Sequence, residues 1–201
     1  MTALVFASIF ADSLNLNGDQ ANLFVLQQRL KWAGHSSTIA PVSSLAELEQ
    51  SKADFLFLGH GSIAAWKACE AQWPSLAKDF LTFSNSRSAL AVSSGADRVL
   101  AASGAQPAVL GASVSEFCLD DFDSQKILGY KNTSSIANST LRVERAILTW
   151  LHGPVLAKNP AVADAILSDL LSISPKGLAN ENTRKIDEIV AGVWHLEMPK
   201  K

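Results

Sequence analysis

The chain has 201 residues, 48% hydrophobic and 18% charged: enough apolar side chain for a sizeable core and too little charge for disorder. Seventeen Lys and Arg against nineteen Asp and Glu leave a net charge of −2, so no basic surplus exists to neutralise a phosphate backbone, and nucleic-acid binding is set aside. Two cysteines, Cys69 and Cys118, make neither a disulfide framework nor a Cys/His zinc spacing, which points to the cytoplasm. The apolar run from Thr2 to Ala11 follows no Lys or Arg and meets Asp12, so neither a signal peptide nor membrane insertion is expected. Val99 to Ser115 is also uncharged but is broken by Gly104, Pro107 and Gly111, and the Asn-x-Ser/Thr sequons at Asn132 and Asn138 are read as chance.

In chain order, Ala3 to Phe10 is a continuous apolar run, as a strand buried on both faces requires. Asn15 to Asp19 is a turn-rich loop, and Leu23, Leu26, Leu30 and Ala33 mark one helical stripe that Gly34 closes. Thr38 to Pro41 predicts a short strand, Leu45 to Gln50 a brief helix, and Asp54 to Leu58 a third strand. Helices are expected over Ile63 to Glu70 and Ser75 to Phe83, a strand over Ser88 to Val92, and a helix from about Ala96 to Ala102. Further strands are expected around Val109-Leu110, Lys126 to Tyr130, Leu141 to Arg145 and Ala146 to Trp150. Helices over Ala161 to Leu171, opened by Pro160, and over Asn182 to Val193 complete the chain. Strand-length apolar runs alternating with helical periods predict an α/β fold, a mainly parallel sheet with helices on both faces, in a single domain over 1–201.

Three loops could carry chemistry. Ala91-Val-Ser-Ser-Gly95 lies where a buried strand turns into a helix, and small neighbours permit the strained turn that presents a nucleophilic Ser93 above free N–H groups. The same pattern is met by a serine, Ser93 or Ser94, that merely caps the helix. Gly59-His-Gly-Ser62 follows the third strand, where backbone N–H groups of Gly59, His60 and Gly61 can meet an oxyanion; an ordinary tight turn with an exposed His60 fits as well. His152 closes an apolar strand before Gly153-Pro154, in reach of a nucleophile on a neighbouring strand end. His35 and His195 read as surface residues, Cys69 and Cys118 as structural, and Glu116, Asp120, Asp121 and Asp123 as a solvated loop without a metal.

Three stretches together carry a family resemblance: Asn15-Leu-Asn-Gly-Asp19 with Asn22; Phe57-Leu-Gly-His-Gly61; and Leu151-His-Gly-Pro-Val-Leu-Ala-Lys-Asn-Pro160 with Ala163-Asp164. They resemble the signatures of the CobB/CobQ-like class I glutamine amidotransferases, most of all the GatD-type subunits that work with a MurT-type, Mur-ligase-like synthetase on lipid II. The resemblance implies a flavodoxin- or Rossmann-like sheet and no cofactor in this chain. It further implies glutamine or a related small molecule as ligand, and ammonia passed to an ATP-using synthetase that amidates a peptidoglycan precursor of the cell wall. In that family an elbow cysteine attacks the glutamine amide, the histidine matching His152 is the base, and N–H groups near the glycine loop hold the oxyanion. This implies Ser93 and His152 as the catalytic positions, with Gly59, His60, Gly61 and Ser94 around the substrate.

The chain departs from the family where the chemistry is most demanding. Val92-Ser-Ser-Gly-Ala-Asp97 stands in place of V-C-G-G-Y-Q, so Ser93 occupies the nucleophile's position, and an alcohol is far less ionised than a thiol. His60 interrupts the glycine loop, Ser62-Ile63 replaces a polar pair, and Lys131-Asn-Thr-Ser-Ser135 stands where related proteins have E-N-H-x-G. Pro154 fills the place of the acid in the H-x-E pattern, an acid that in GatD-type proteins a partner subunit can supply. Three readings follow: a GatD-like protein with weakened or absent glutaminase activity, a pseudoenzyme in the limit; a serine hydrolase using Ser93 and His152; and a non-catalytic subunit of a synthetase.

Overall fold

The computed structural model describes residues 2–105, 110–135 and 138–197. The first half of the chain runs β1 (Ala3–Ile9), α1 (Ala21–Trp32), β2 (Ser36–Val42), α2 (Leu45–Ser51), β3 (Phe55–Leu58), α3 (Ile63–Cys69), α4 (Trp73–Ser84), β4 (Ala89–Val92) and α5 (Ser94–Ala102). The second half runs β5 (Leu110–Phe122), β6 (Gln125–Ser135), β7 (Thr140–Val143), β8 (Ala146–Thr149), β9 (Leu151–His152), α6 (Val155–Lys158), α7 (Pro160–Leu171) and α8 (Glu181–Glu197), with a 3-10 turn at Pro175–Leu178 before α8.

Six strands form one sheet in the order β2-β1-β3-β4-β8-β7; all neighbours are parallel except the edge pair β7 and β8. Every residue of β3, β4 and β8 is buried, which is why these segments read as unbroken apolar runs. Alternation along β3 sends Leu56 and Leu58 to one face, with Trp66, Phe80, Leu148 and Trp150, and Phe55 and Phe57 to the other, with Leu26, Leu30 and Ile166. Helices therefore cover both faces, and none among the described residues is long and apolar enough to cross a membrane.

On the α1 face, Arg29 is only 3% exposed and bridges three helices. Its guanidinium reaches Asp164 of α7 at 2.6 Å and Asp187 of α8 at 2.9 Å. A buried cation is tolerable only when paired in this way.

The second half of the chain departs from the sequence expectation. β5 and β6 form a long antiparallel hairpin, and β9 joins it in a second, three-stranded sheet. The acidic cluster expected as a solvated loop instead lies on this hairpin: Glu116, Asp120 and Asp121 are strand residues, and Asp123 is in the turn. Cross-strand charge explains this, since Glu116 is in register with Lys131, and Asp121 lies 2.7 Å from its opposite number Lys126. Asp123 and Ser124 both have positive φ, as a two-residue hairpin turn demands. Of the expected strand at Val109-Leu110, Val109 lies outside the described residues, as does Pro107, and Leu110 opens β5. Leu141 to Arg145 is an antiparallel edge strand that ends at Val143, because Glu144 turns the chain into β8 with φ of 51°. His152 does not end the strand that begins at Ala146. That strand stops at Thr149, and the chain crosses into the second sheet, where His152 pairs with Tyr130.

Candidate active site

The turn from β4 into α5 is strained at one residue. Ser93 has φ 51° and ψ −115°, a conformation that side chains other than glycine rarely adopt, and its N–H is tied to the Thr149 carbonyl of β8 at 2.6 Å. Ser93 itself is 6% exposed. Gly95 permits the close fit beneath it: a Cβ there would sit 2.7 Å from the Gly59 carbonyl and 2.9 Å from that of Leu58. A Cβ on Gly59 would lie 2.0 Å from the Leu14 carbonyl. These glycines serve backbone packing, and through them the ends of β3 and β4 and the loop after β1 share one corner.

Across this corner stands His152. Its Nε2 lies 3.3 Å from Ser93 Oγ and 3.0 Å from the Asn132 carbonyl of β6, while Nδ1 lies 2.5 Å from the side-chain nitrogen of Asn17. The segment after it is held by the loop between β1 and α1. Buried Asp19 accepts the N–H groups of Gly153 at 3.1 Å and His60 at 3.0 Å; Asn22 accepts the Leu156 N–H and donates to the Gly153 carbonyl. Burial pushes the Asp19 carboxyl above the usual carboxylate value, a rise that its two N–H donors and nearby His152 oppose. Asn159 secures the next turn by bonding both the N–H and the carbonyl of Leu128. The segments Asn15–Asn22 and Leu151–Pro160, far apart in the chain, thus form one hydrogen-bonded unit.

The loop after β3 closes over the elbow. His60 Nδ1 accepts the Ser94 N–H at 3.3 Å and lies 2.9 Å from Ser94 Oγ, so the neutral ring carries its proton on Nε2. Burial, reinforced by His152 alongside, holds the His60 imidazole below its ordinary pKa, and the two rings meet edge to face at 4.9 Å. Ser94 Oγ accepts from the Gly61 N–H at 3.0 Å and from Trp66 Nε1 at 2.8 Å, and its own proton faces the Gly61 carbonyl. The N–H groups of His60, Gly61 and Ser94 therefore all have acceptors within the chain: Asp19, Ser94 Oγ and His60 Nδ1.

The structure brings Ser93, His152, Gly59, His60, Gly61 and Ser94 to one place, as the sequence grouped them. Cys69 ends α3 and Cys118 lies on β5, both thiols raised by burial. Among the described residues no group of three or more His, Cys, Asp or Glu is placed to hold a metal. Asn17, Asp19 and Asn132 are part of the site, but the sequence assigned them no chemical role: the first two entered only within the stretch Asn15 to Asp19, and Asn132 only as a sequon. The signal for the first two was the density of Asn and Asp in Asn15–Asp19, side chains that bond ring nitrogens and backbone groups readily. Asn132 contributes only a carbonyl, which no residue type announces.

No known family model matches the chain, and no curated protein matches it in sequence. Solved structures do match. A putative GMP synthase subunit from Thermoplasma acidophilum has a TM-score of 0.52 at 13% identity, over 92% of this chain and 98% of that one. A glutamine amidotransferase from Thermotoga maritima scores 0.48 at 10% identity, over 98% and 99%. DJ-1beta from Drosophila melanogaster scores 0.45 at 18% identity, over 94% and 97%. At such identities the likeness is one of fold, and the first match carries it. The chain has a mostly parallel α/β fold like that of the putative GMP synthase subunit.

Proposed function

We propose that this protein is a GatD-like subunit of a glutamine amidotransferase, working with a Mur-ligase-like synthetase on a peptidoglycan precursor, in which the glutaminase step is weakened or lost. One observation carries the reading. The turn that would present the nucleophile is built around Ser93, and the N–H groups of His60, Gly61 and Ser94 beside it are already bonded within the chain. The first step is then attack of Ser93 Oγ on the glutamine side-chain amide, its proton passing to His152 Nε2. Two barriers oppose it. An alcohol is almost wholly protonated at neutral pH, so it depends on the base for its whole reactivity. The tetrahedral oxyanion also finds the N–H groups of His60, Gly61 and Ser94 occupied, and loss of a single donor of this kind costs about 100- to 1,000-fold in rate. Substituting His152→Ala provides the control for the test: ammonia release from glutamine is measured with purified protein alone and with the synthetase. No release that the substitution lowers is expected; clear His152-dependent release defeats the inactive version.

The approach of His152 Nε2 to Ser93 Oγ at 3.3 Å favours a second reading, a serine hydrolase on the same scaffold. Labelling of Ser93 by a fluorophosphonate supports it, and absence of labelling in folded protein counts against it. If neither chemistry is found, stable copurification with the synthetase would favour a non-catalytic regulatory subunit.

A further inference from the structure

The side chain of Asn17 completes a line that runs from Ser93 Oγ through both ring nitrogens of His152, at 3.3 Å on one side and 2.5 Å on the other. We infer that Asn17 is a positioning residue for His152, fixing the ring's direction and governing which of its nitrogens carries the proton. The inference rests on Ser93 and His152 being a reacting pair. It identifies, within this chain, the group that occupies the place of the acid in a Ser-His-Asp arrangement, 135 residues before the histidine.

The neighbours of the ring decide where its proton sits. The Asn132 carbonyl only accepts, so the neutral ring, 3.0 Å away, carries its proton on Nε2. Nδ1 is then bare and accepts from the Asn17 amide, which is how the structure places that amide. In this tautomer Nε2 cannot take a proton from Ser93. Rotating the amide by half a turn exchanges its nitrogen for its oxygen, which accepts an Nδ1–H; the ring then gains a proton from solvent at Nδ1 and releases the one on Nε2 to solvent, which leaves Nε2 bare. The Ser93 Oγ–H bond can then break, the proton forming a new bond to Nε2 while the electron pair stays on oxygen. The resulting imidazolium has an acceptor at each end, Asn17 Oδ1 and the Asn132 carbonyl. A carboxylate in this position would hold the proton on Nδ1 permanently, and an alkyl side chain would hold it nowhere. An amide serves both tautomers from one place.

Little else around the ring can take that role. The titratable and charged groups beside it are His60, edge to face at 4.9 Å; Asp19, whose carboxylate oxygens are engaged by the N–H groups of Gly153 and His60; and, on β6, its register partner Tyr130 and the neighbouring Lys131. Among the described residues, Asn17 places its side-chain nitrogen 2.5 Å from Nδ1.

Nitrogen-15 NMR of the His152 imidazole in the full chain tests the assignment without reference to glutamine. The wild type is expected to show the proton on Nε2. Asn17→Asp should move the proton towards Nδ1 and raise the titration midpoint of His152 by about one pH unit or more, as an adjacent carboxylate does. Asn17→Leu should lower that midpoint, because the imidazolium loses its Nδ1 acceptor. In a Ser93→Cys background, the pH profile of alkylation by iodoacetamide should shift in the same two directions. A merely structural Asn17 would leave the midpoint of Asn17→Leu where the wild type has it, so an unchanged midpoint in that variant, or a proton still on Nε2 in Asn17→Asp, overturns the inference. If Asn17→Leu fails to fold, the tautomer of the isosteric Asn17→Asp carries the test. Failure of the glutaminase assay leaves this result untouched.

Discussion

His60 and Ser94 are locked together across the mouth of the elbow: the imidazole Nδ1 accepts the Ser94 N–H at 3.3 Å and lies 2.9 Å from the Ser94 hydroxyl. The N–H that follows the strained serine is the one best placed to meet an anion there, and it is engaged by a side chain of the neighbouring loop. The corner thus keeps a base beside an alcohol while occupying its own anion donors. Two consequences for stability, and one for reactivity, follow from these contacts.

Strain at Ser93 is the first. A non-glycine residue at φ 51° and ψ −115° costs roughly 1–3 kcal/mol. Ser93→Gly removes that strain, though it loosens the unfolded chain by under about 1 kcal/mol. The variant is expected to be more stable than the wild type by about 1 kcal/mol in urea unfolding, and to be inert to any Ser93-directed reagent. A less stable variant would mean that the turn is not strained.

Asp19 joins the glycine loop to the His152 segment, so Asp19→Ala leaves the N–H groups of His60 and Gly153 without their acceptor. The expected loss is about 2–6 kcal/mol, at roughly 1–3 kcal/mol for each of the two unsatisfied donors. The pH dependence has a definite sign. Burial raises the Asp19 carboxyl above its ordinary value, so its contribution is fully present below the ordinary carboxylate range and is lost as pH rises through the raised value. Urea unfolding from pH 4 to pH 7 should therefore show a smaller loss of stability with rising pH in Asp19→Asn than in the wild type.

Away from the elbow, on the α1 face of the sheet, Arg29→Met leaves the Asp164 and Asp187 carboxylates facing an alkyl chain. Breaking a buried pair costs about 3–5 kcal/mol, and the partial exposure of both aspartates puts the expectation at the low end. Replacing Asp164 and Asp187 with Asn in the same protein should recover part of the loss. Thermal melts of the three proteins check both points.

Much of this was legible in the sequence, and the physical reasons are specific. Phe55–Leu58 and Ala89–Val92 are buried on both faces, so they write themselves as apolar runs, and the turn after each was visible from its small residues. The hairpin of β5 and β6 was hidden because Glu116, Asp120 and Asp121 alternate with apolar residues only loosely, and the lysines in register with two of them lie further along the chain. The crossing at Trp150 was hidden too, since Ala146 to His152 is one apolar run whether or not it changes sheets. Around the site, residue types in local patterns singled out Ser93, His60 and His152. The partner of His152 was not legible, because Asn17 reaches it through folding rather than through neighbourhood in sequence.

That the elbow is silenced by its own occupied anion donors, as well as by an alcohol nucleophile, is tested most directly by ester acylation. In Ser93→Cys and in Ser93→Cys with His60→Gly, acylation by p-nitrophenyl acetate needs an anion donor, whereas alkylation by iodoacetamide does not. Removing the imidazole that holds the Ser94 N–H should raise acylation by up to about 100-fold, the low end of what a freed donor supplies, and leave alkylation nearly unchanged. Equal acylation in the two proteins, both folded, would contradict the claim.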